Sequence, residues 1–78
     1  MNEDISQRVI NQISIILNIN PSEIKGSLAY NSIERWDSIA QMNIILSLEE
    51  EFNIQLLDED IEDMLTVELI IKIISSRI

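Results

Sequence analysis

The chain has 78 residues, fourteen acidic against five basic side chains, a net charge of −9, and neither Cys nor His. A domain this small has a thin stability margin, and here no disulfide or Cys/His zinc site can widen it, so stability rests on apolar packing. The surplus of negative charge repels nucleic acid and anionic membranes, both polyanions, and attracts partners that carry Lys and Arg patches. On composition alone the same charge also serves simply to keep a small apolar domain in solution.

The first segment reads as a helix from about Glu3 to Leu17. Ile5, Val9, Ile13, Ile16 and Leu17 recur at helical spacing, with Ile10 beside the stripe. Asn2 suits an N-cap, and Glu3 and Asp4 suit the positive end of the helix dipole. The acidic start Met1-Asn2-Glu3-Asp4 lacks the basic residues of a signal peptide, so a cytoplasmic protein is expected. Apolar runs are too short to cross a bilayer, and no membrane insertion is expected.

Pro21 disfavours helix at Asn20 and can open a short turn of helix through Ile24. Residues 25 to 36 then form a long connection that contains Gly26, the only glycine. Asn31 and Ser32 are turn formers, and Leu28, Ile33 and Trp36 are expected to plug the loop into the core. A loop of this length in so short a chain is often functional.

A second helix is expected from about Ser38 to Phe52. Its apolar face reads as Ile39, Met42, Leu46 and Phe52, flanked by Ile45 and Leu48. Met42 suits core packing and surface docking equally. Ser38 with Gln41 three residues later matches a capping box, and Asp37 adds negative charge at the same end. Glu49-Glu50-Glu51 lies near the C-terminal end, where the dipole does not favour it. That placement suggests a patch kept for solubility or for a partner.

Asn53 to Leu57 is a short extended link, and Asp58 to Met64 an acidic helix of one or two turns. Thr66 can cap a last helix with Glu68 in its first turn and Lys72 and Arg77 toward its C-terminal end. Val67, Ile70, Ile71, Ile74 and Ile78 give that helix a buried stripe. The expected architecture is all-α: one domain over residues 1–78, a small four-helix bundle of three longer helices and one short one.

Most catalytic arrangements are disfavoured. Nucleophilic Ser needs a His or Lys base; there is no His, and Lys25 and Lys72 lie far from Ser38 in sequence. The many carboxylates read as solvated helix faces, without the burial that tunes a general acid. Asp58-Glu59-Asp60-Ile61-Glu62-Asp63 has the charge of a calcium loop and lacks its glycine and spacing, so no dedicated metal site is expected. No Gly-rich phosphate loop is present. The protein is therefore expected not to be an enzyme. Read from the residues alone, Ser38 is a helix cap.

A longer pattern says more. Asp37-Ser38-Ile39, then Leu48-Glu49-Glu50-Glu51-Phe52-Asn53-Ile54, then Asp58-Glu59-Asp60, then Thr66-Val67, resembles the acyl carrier protein family in order and spacing from Asp37 to the end. The likeness extends more loosely over the first helix and loop. It implies that Ser38 carries 4'-phosphopantetheine through a phosphodiester and that Asp37 serves recognition by the phosphopantetheinyl transferase. It also implies that Ile39, Met42, Glu49, Glu50 and Ile61 meet partner enzymes, with Ile61 near the arm and Trp36 shaping its base. The expected role is that of a monomeric carrier of acyl or aminoacyl thioesters. Its further partners would be an acyl- or aminoacyl-loading ligase and a downstream acyltransferase or synthase. The same fold without an arm would be an acidic helical interaction module.

Departures from the fatty-acid pattern are local. Ala40, Gln41 and Asn43 replace a more acidic stretch, Leu57 stands where Pro is usual, and Arg35-Trp36 precedes the motif. Trp before Asp-Ser looks more like carriers of specialised pathways. The paired Gly and His of peptidyl carriers are absent.

Overall fold

The computed structural model describes residues 2–78, with side chains from Ile5 onward. Among these residues there are four α-helices: α1 (Asn2–Leu17), α2 (Ser38–Phe52), the short α3 (Asp58–Asp63) and α4 (Val67–Arg77). A 3-10 turn spans Pro21–Glu23, capped by the Asn20 side chain, which accepts from Ser22 N. The fold is thus the expected small helical bundle. The expected Asn2 cap and the Glu3 and Asp4 charges lie outside the described side chains.

The core is aliphatic around one indole. Val9, Ile13 and Leu17 of α1, Ile44, Ile45, Leu48 and Phe52 of α2, and Val67, Ile70 and Ile74 of α4 meet Trp36, which is fully buried. In α1 the buried apolar residues recur every four positions, as the sequence pattern requires. Two parts of the expected stripes are corrected. In α2, Ile39, Met42 and Leu46 are 73%, 58% and 53% exposed, and the face turned inward runs through Ala40, Ile44, Ile45, Leu48 and Phe52. α2 carries apolar residues on both sides, so periodicity alone cannot say which side is covered. In α4, Ile78 is 56% exposed, because the helix has ended at Arg77.

With so little glycine, asparagine takes the left-handed positions. Asn18 and Asn53 have φ of 55° and 54° just past α1 and α2, and Asn31 has φ of 67° in the loop. Asn tolerates this region because its short polar side chain bonds locally. At the end of α2, Asn53 N and Ile54 N both turn back to Glu49 O, closing the helix. Arg8 clasps the same end from α1, donating to the Glu51 carboxylate and carbonyl at 2.8 Å each and lying 4.3 Å from the Phe52 ring centroid.

The long loop is held against the start of α4. Tyr30 N donates to Leu65 O, Val67 N to Leu28 O and Glu68 N to Gly26 O, at 2.9–3.0 Å, around an isolated antiparallel bridge between Ala29 and Thr66. Gly26 has no positive φ, and a Cβ there would rest against the movable Glu68 side chain, 3.4 Å from its Oε2. This pairing carries the loop across the bundle and delivers residues 36–38 to the head of α2.

Candidate functional site

The N-cap of α2 is Asp37 and not Ser38. Asp37 has extended backbone, and its Oδ1 accepts from Ala40 N at 2.9 Å. Ser38 is the first helical residue, exposed, with its hydroxyl free of capping duty. The expected box between Ser38 and Gln41 does not form. A carboxylate is as good a cap as a hydroxyl and adds a favourable charge at the positive end of the dipole, which is why Asp37 takes the position.

Gln41 is used elsewhere. Its Oε1 accepts from the Trp36 indole N–H at 2.6 Å, and its Nε2 donates to Met64 O at 2.8 Å. The buried indole N–H and the carbonyl that ends α3 are thereby satisfied by one side chain. Through it the loop, the first turn of α2 and the α3–α4 junction share one frame. Ser38 stands on that frame. Its Oγ lies 2.8 Å from the Tyr30 hydroxyl, whose own backbone is tied to Leu65. Arg35, the nearest cation in sequence, points away: its guanidinium donates to the carbonyls of Leu17 and Asn18 at the end of α1.

At the start of α2, Ala40 N is taken by Asp37, and Gln41 N makes the first intrahelical bond, to Asp37 O. The Ser38 and Ile39 amides precede that bond and are left as the open donors of the turn. An exposed hydroxyl beside open amides at a helix N-terminus suits a covalently attached phosphate, because both the amides and the dipole favour an anion.

Around the serine the expected docking residues fall into different settings. Ile39 and Met42 are exposed and, with Leu46, make one apolar stripe on the outer side of α2. Glu50 is exposed, whereas Glu49 is half-buried and its Oε2 accepts from Leu56 N at 2.9 Å, so it braces the link to α3. Ile61 on α3 is half-buried against the core. An open groove of about 450 Å³ runs between α4 and the end of α3, lined by Leu65, Leu69 and Ile73 with Asp63, Lys72 and Ser76.

Compared with known proteins, the chain is 32% identical over 75 residues to an acyl carrier protein of Wolinella succinogenes, covering 96% of this chain and 93% of that one. The chain belongs to the acyl carrier protein family. No family model matches it.

Within this carrier fold, several site-bearing residues could not be picked out from spacing. Tyr30 and Gln41 work through contacts across 8 and 23 positions. The acidic helix α3 is not wholly a solvated face either. Asp60 is buried and receives Arg77 of α4 through two bonds, 2.9 and 2.8 Å, and also accepts from Leu57 N at 3.1 Å. The Arg77 hydrogen bonds, and then the Leu57 amide, hold the Asp60 carboxyl below the usual carboxylate range against the opposing effect of burial. Among the described residues no cluster of three or more acids could hold a metal ion, and no helix is long and apolar enough to cross a membrane.

Proposed function

We propose that the protein carries acyl or aminoacyl groups as thioesters on a 4'-phosphopantetheine arm joined to Ser38. The observation that carries this reading is the exposed Ser38 in the first turn of α2, behind an Asp37 cap, in a chain of this family. The arm supplies a terminal thiol, which the chain itself lacks. The chain's own residues hold the attachment point: Asp37 organises the turn, and the open amides of Ser38 and Ile39 face the anion.

In this reading the protein is not an enzyme. It presents its cargo to successive partners and raises their effective encounter concentration. Those partners are the phosphopantetheinyl transferase, which reads Asp37, an acyl- or aminoacyl-loading ligase, and a downstream acyltransferase or synthase. The exposed Ile39, Met42 and Leu46 stripe gives them an apolar seat beside Ser38, and Glu50 gives a charge for basic residues at its far end. Glu49 contributes less, being occupied with Leu56. Ile61 lines the α3 side. Action as a single-domain monomer in the cytoplasm completes the reading, with Trp36-Asp37-Ser38 favouring a specialised pathway over bulk fatty acid synthesis.

Intact-protein mass spectrometry after incubation with coenzyme A and a broad-specificity transferase tests it. The parent should gain one phosphopantetheine and a Ser38→Ala control none. A folded parent that gains no mass would make the protein an acidic interaction module instead.

A further inference from the structure

The contact between Tyr30 and Ser38 is a bond between two hydroxyls at 2.8 Å, in which either oxygen can donate. Ser38 Oγ makes no other side-chain hydrogen bond among the described residues, and the adjoining Asp37 carboxylate is turned to Ala40 N. Tyr30 is not a loose surface residue. Its side chain packs partly against the core, and its amide is held by Leu65 O at 2.9 Å. The phenol is thus delivered to the serine by a backbone pairing that does not depend on the serine.

We infer that Tyr30 is a positioning residue for the arm: it fixes the Ser38 hydroxyl before modification and donates its O–H to the phosphodiester group afterwards. This rests on the function proposed above. The reason is the proton count. Once Oγ is bonded to phosphorus it has no hydrogen, so the contact persists only with Tyr30 as donor. The acceptor is then part of an anionic group, and a bond to a charged acceptor is the stronger kind. The charged side chains nearest the serine in sequence do not substitute: Asp37 is an acceptor only, and Arg35 is committed to the end of α1. Tyr30 therefore restricts rotation at the base of the arm, while the open amides of the first turn complete the anion's surroundings.

The chain has a single tyrosine, so its ring carbon that bears the hydroxyl gives one unambiguous NMR resonance. Phosphorus NMR of the modified chain is compared between the parent, Tyr30→Phe and Tyr30→Leu. Phe keeps the ring and removes only the hydroxyl. The phosphorus resonance should be displaced in Tyr30→Phe already, with helical content unchanged. If the parent and Tyr30→Phe coincide and only Tyr30→Leu differs, Tyr30 merely packs and the inference is overturned. Should Tyr30→Phe fold poorly, the unaltered tyrosine decides. Its Cζ resonance in the modified chain should differ from that in Ser38→Ala, where the phenol has lost its partner, and coincidence of the two would overturn the inference. A parent that accepts no arm at all removes the function and this inference together, and the mass spectrum identifies that outcome before any resonance is compared.

Discussion

Arg77, the last residue of α4, grips Asp60 on the short helix α3 with two hydrogen bonds at 2.9 and 2.8 Å. The pair joins the six-residue α3 to α4. Because the native carboxyl is held low, its contribution to stability is fully present above the ordinary carboxylate range, about pH 4, and is lost as pH falls through the lowered native value. Thermal melts of the parent should therefore fall on the acid side below about pH 4. Asp60→Asn should melt lower at neutral pH and show a flatter acid limb. A variant with the same acid slope as the parent would assign acid sensitivity to other carboxylates.

Gln41 satisfies the indole N–H of buried Trp36 and the carbonyl of Met64 together. Gln41→Leu leaves both without a partner, at a cost of about 1–3 kcal/mol. Denaturant unfolding should show the loss, and Trp36 fluorescence should move toward that of a wetter indole. Full stability in Gln41→Leu would mean that water or a shifted side chain replaces both bonds.

Asp37 caps α2, and the proposed function adds recognition by the transferase; substitutions separate the two. Asp37→Ala should lose about 1 kcal/mol of stability, and Asp37→Ser should restore most of it, since Ser also caps. If the charge is what the transferase reads, both variants should take up the arm more slowly, by about tenfold, equivalent to about 1.4 kcal/mol. Recovery of the rate in Asp37→Ser would reduce Asp37 to a cap.

Reversal of charge should affect Glu49 and Glu50 differently. Glu50 is exposed, so Glu50→Lys should leave the melting temperature unchanged and slow modification and loading in a salt-dependent way. Glu49→Lys should also cost about 1 kcal/mol of stability, because Leu56 N loses its acceptor. Loading rates that are unaltered in Glu50→Lys and insensitive to salt would remove Glu50 from the docking surface.

The sequence by itself determined the all-α bundle, the position of every helix to within a residue or so, the Pro21 turn, the Thr66 cap and the plugging of the loop by Trp36. These follow from local rules: apolar spacing, caps and turn residues act within a few positions of one another. The family pattern around Ser38 was also legible, because its motifs keep their order and separation. Tertiary structure alone decided which side of α2 is covered, since that helix offers apolar residues on both sides and its packing against α1 chooses between them. It also chose Asp37 over Ser38 as the cap, freeing the serine, and drew Gln41 away to Trp36 and Met64. The pairs Tyr30 with Ser38 and Asp60 with Arg77 belong to the same class. Each joins residues that no helical period relates, and each exists because the loop pairing and the packing of α3 on α4 bring distant side chains within hydrogen-bond reach.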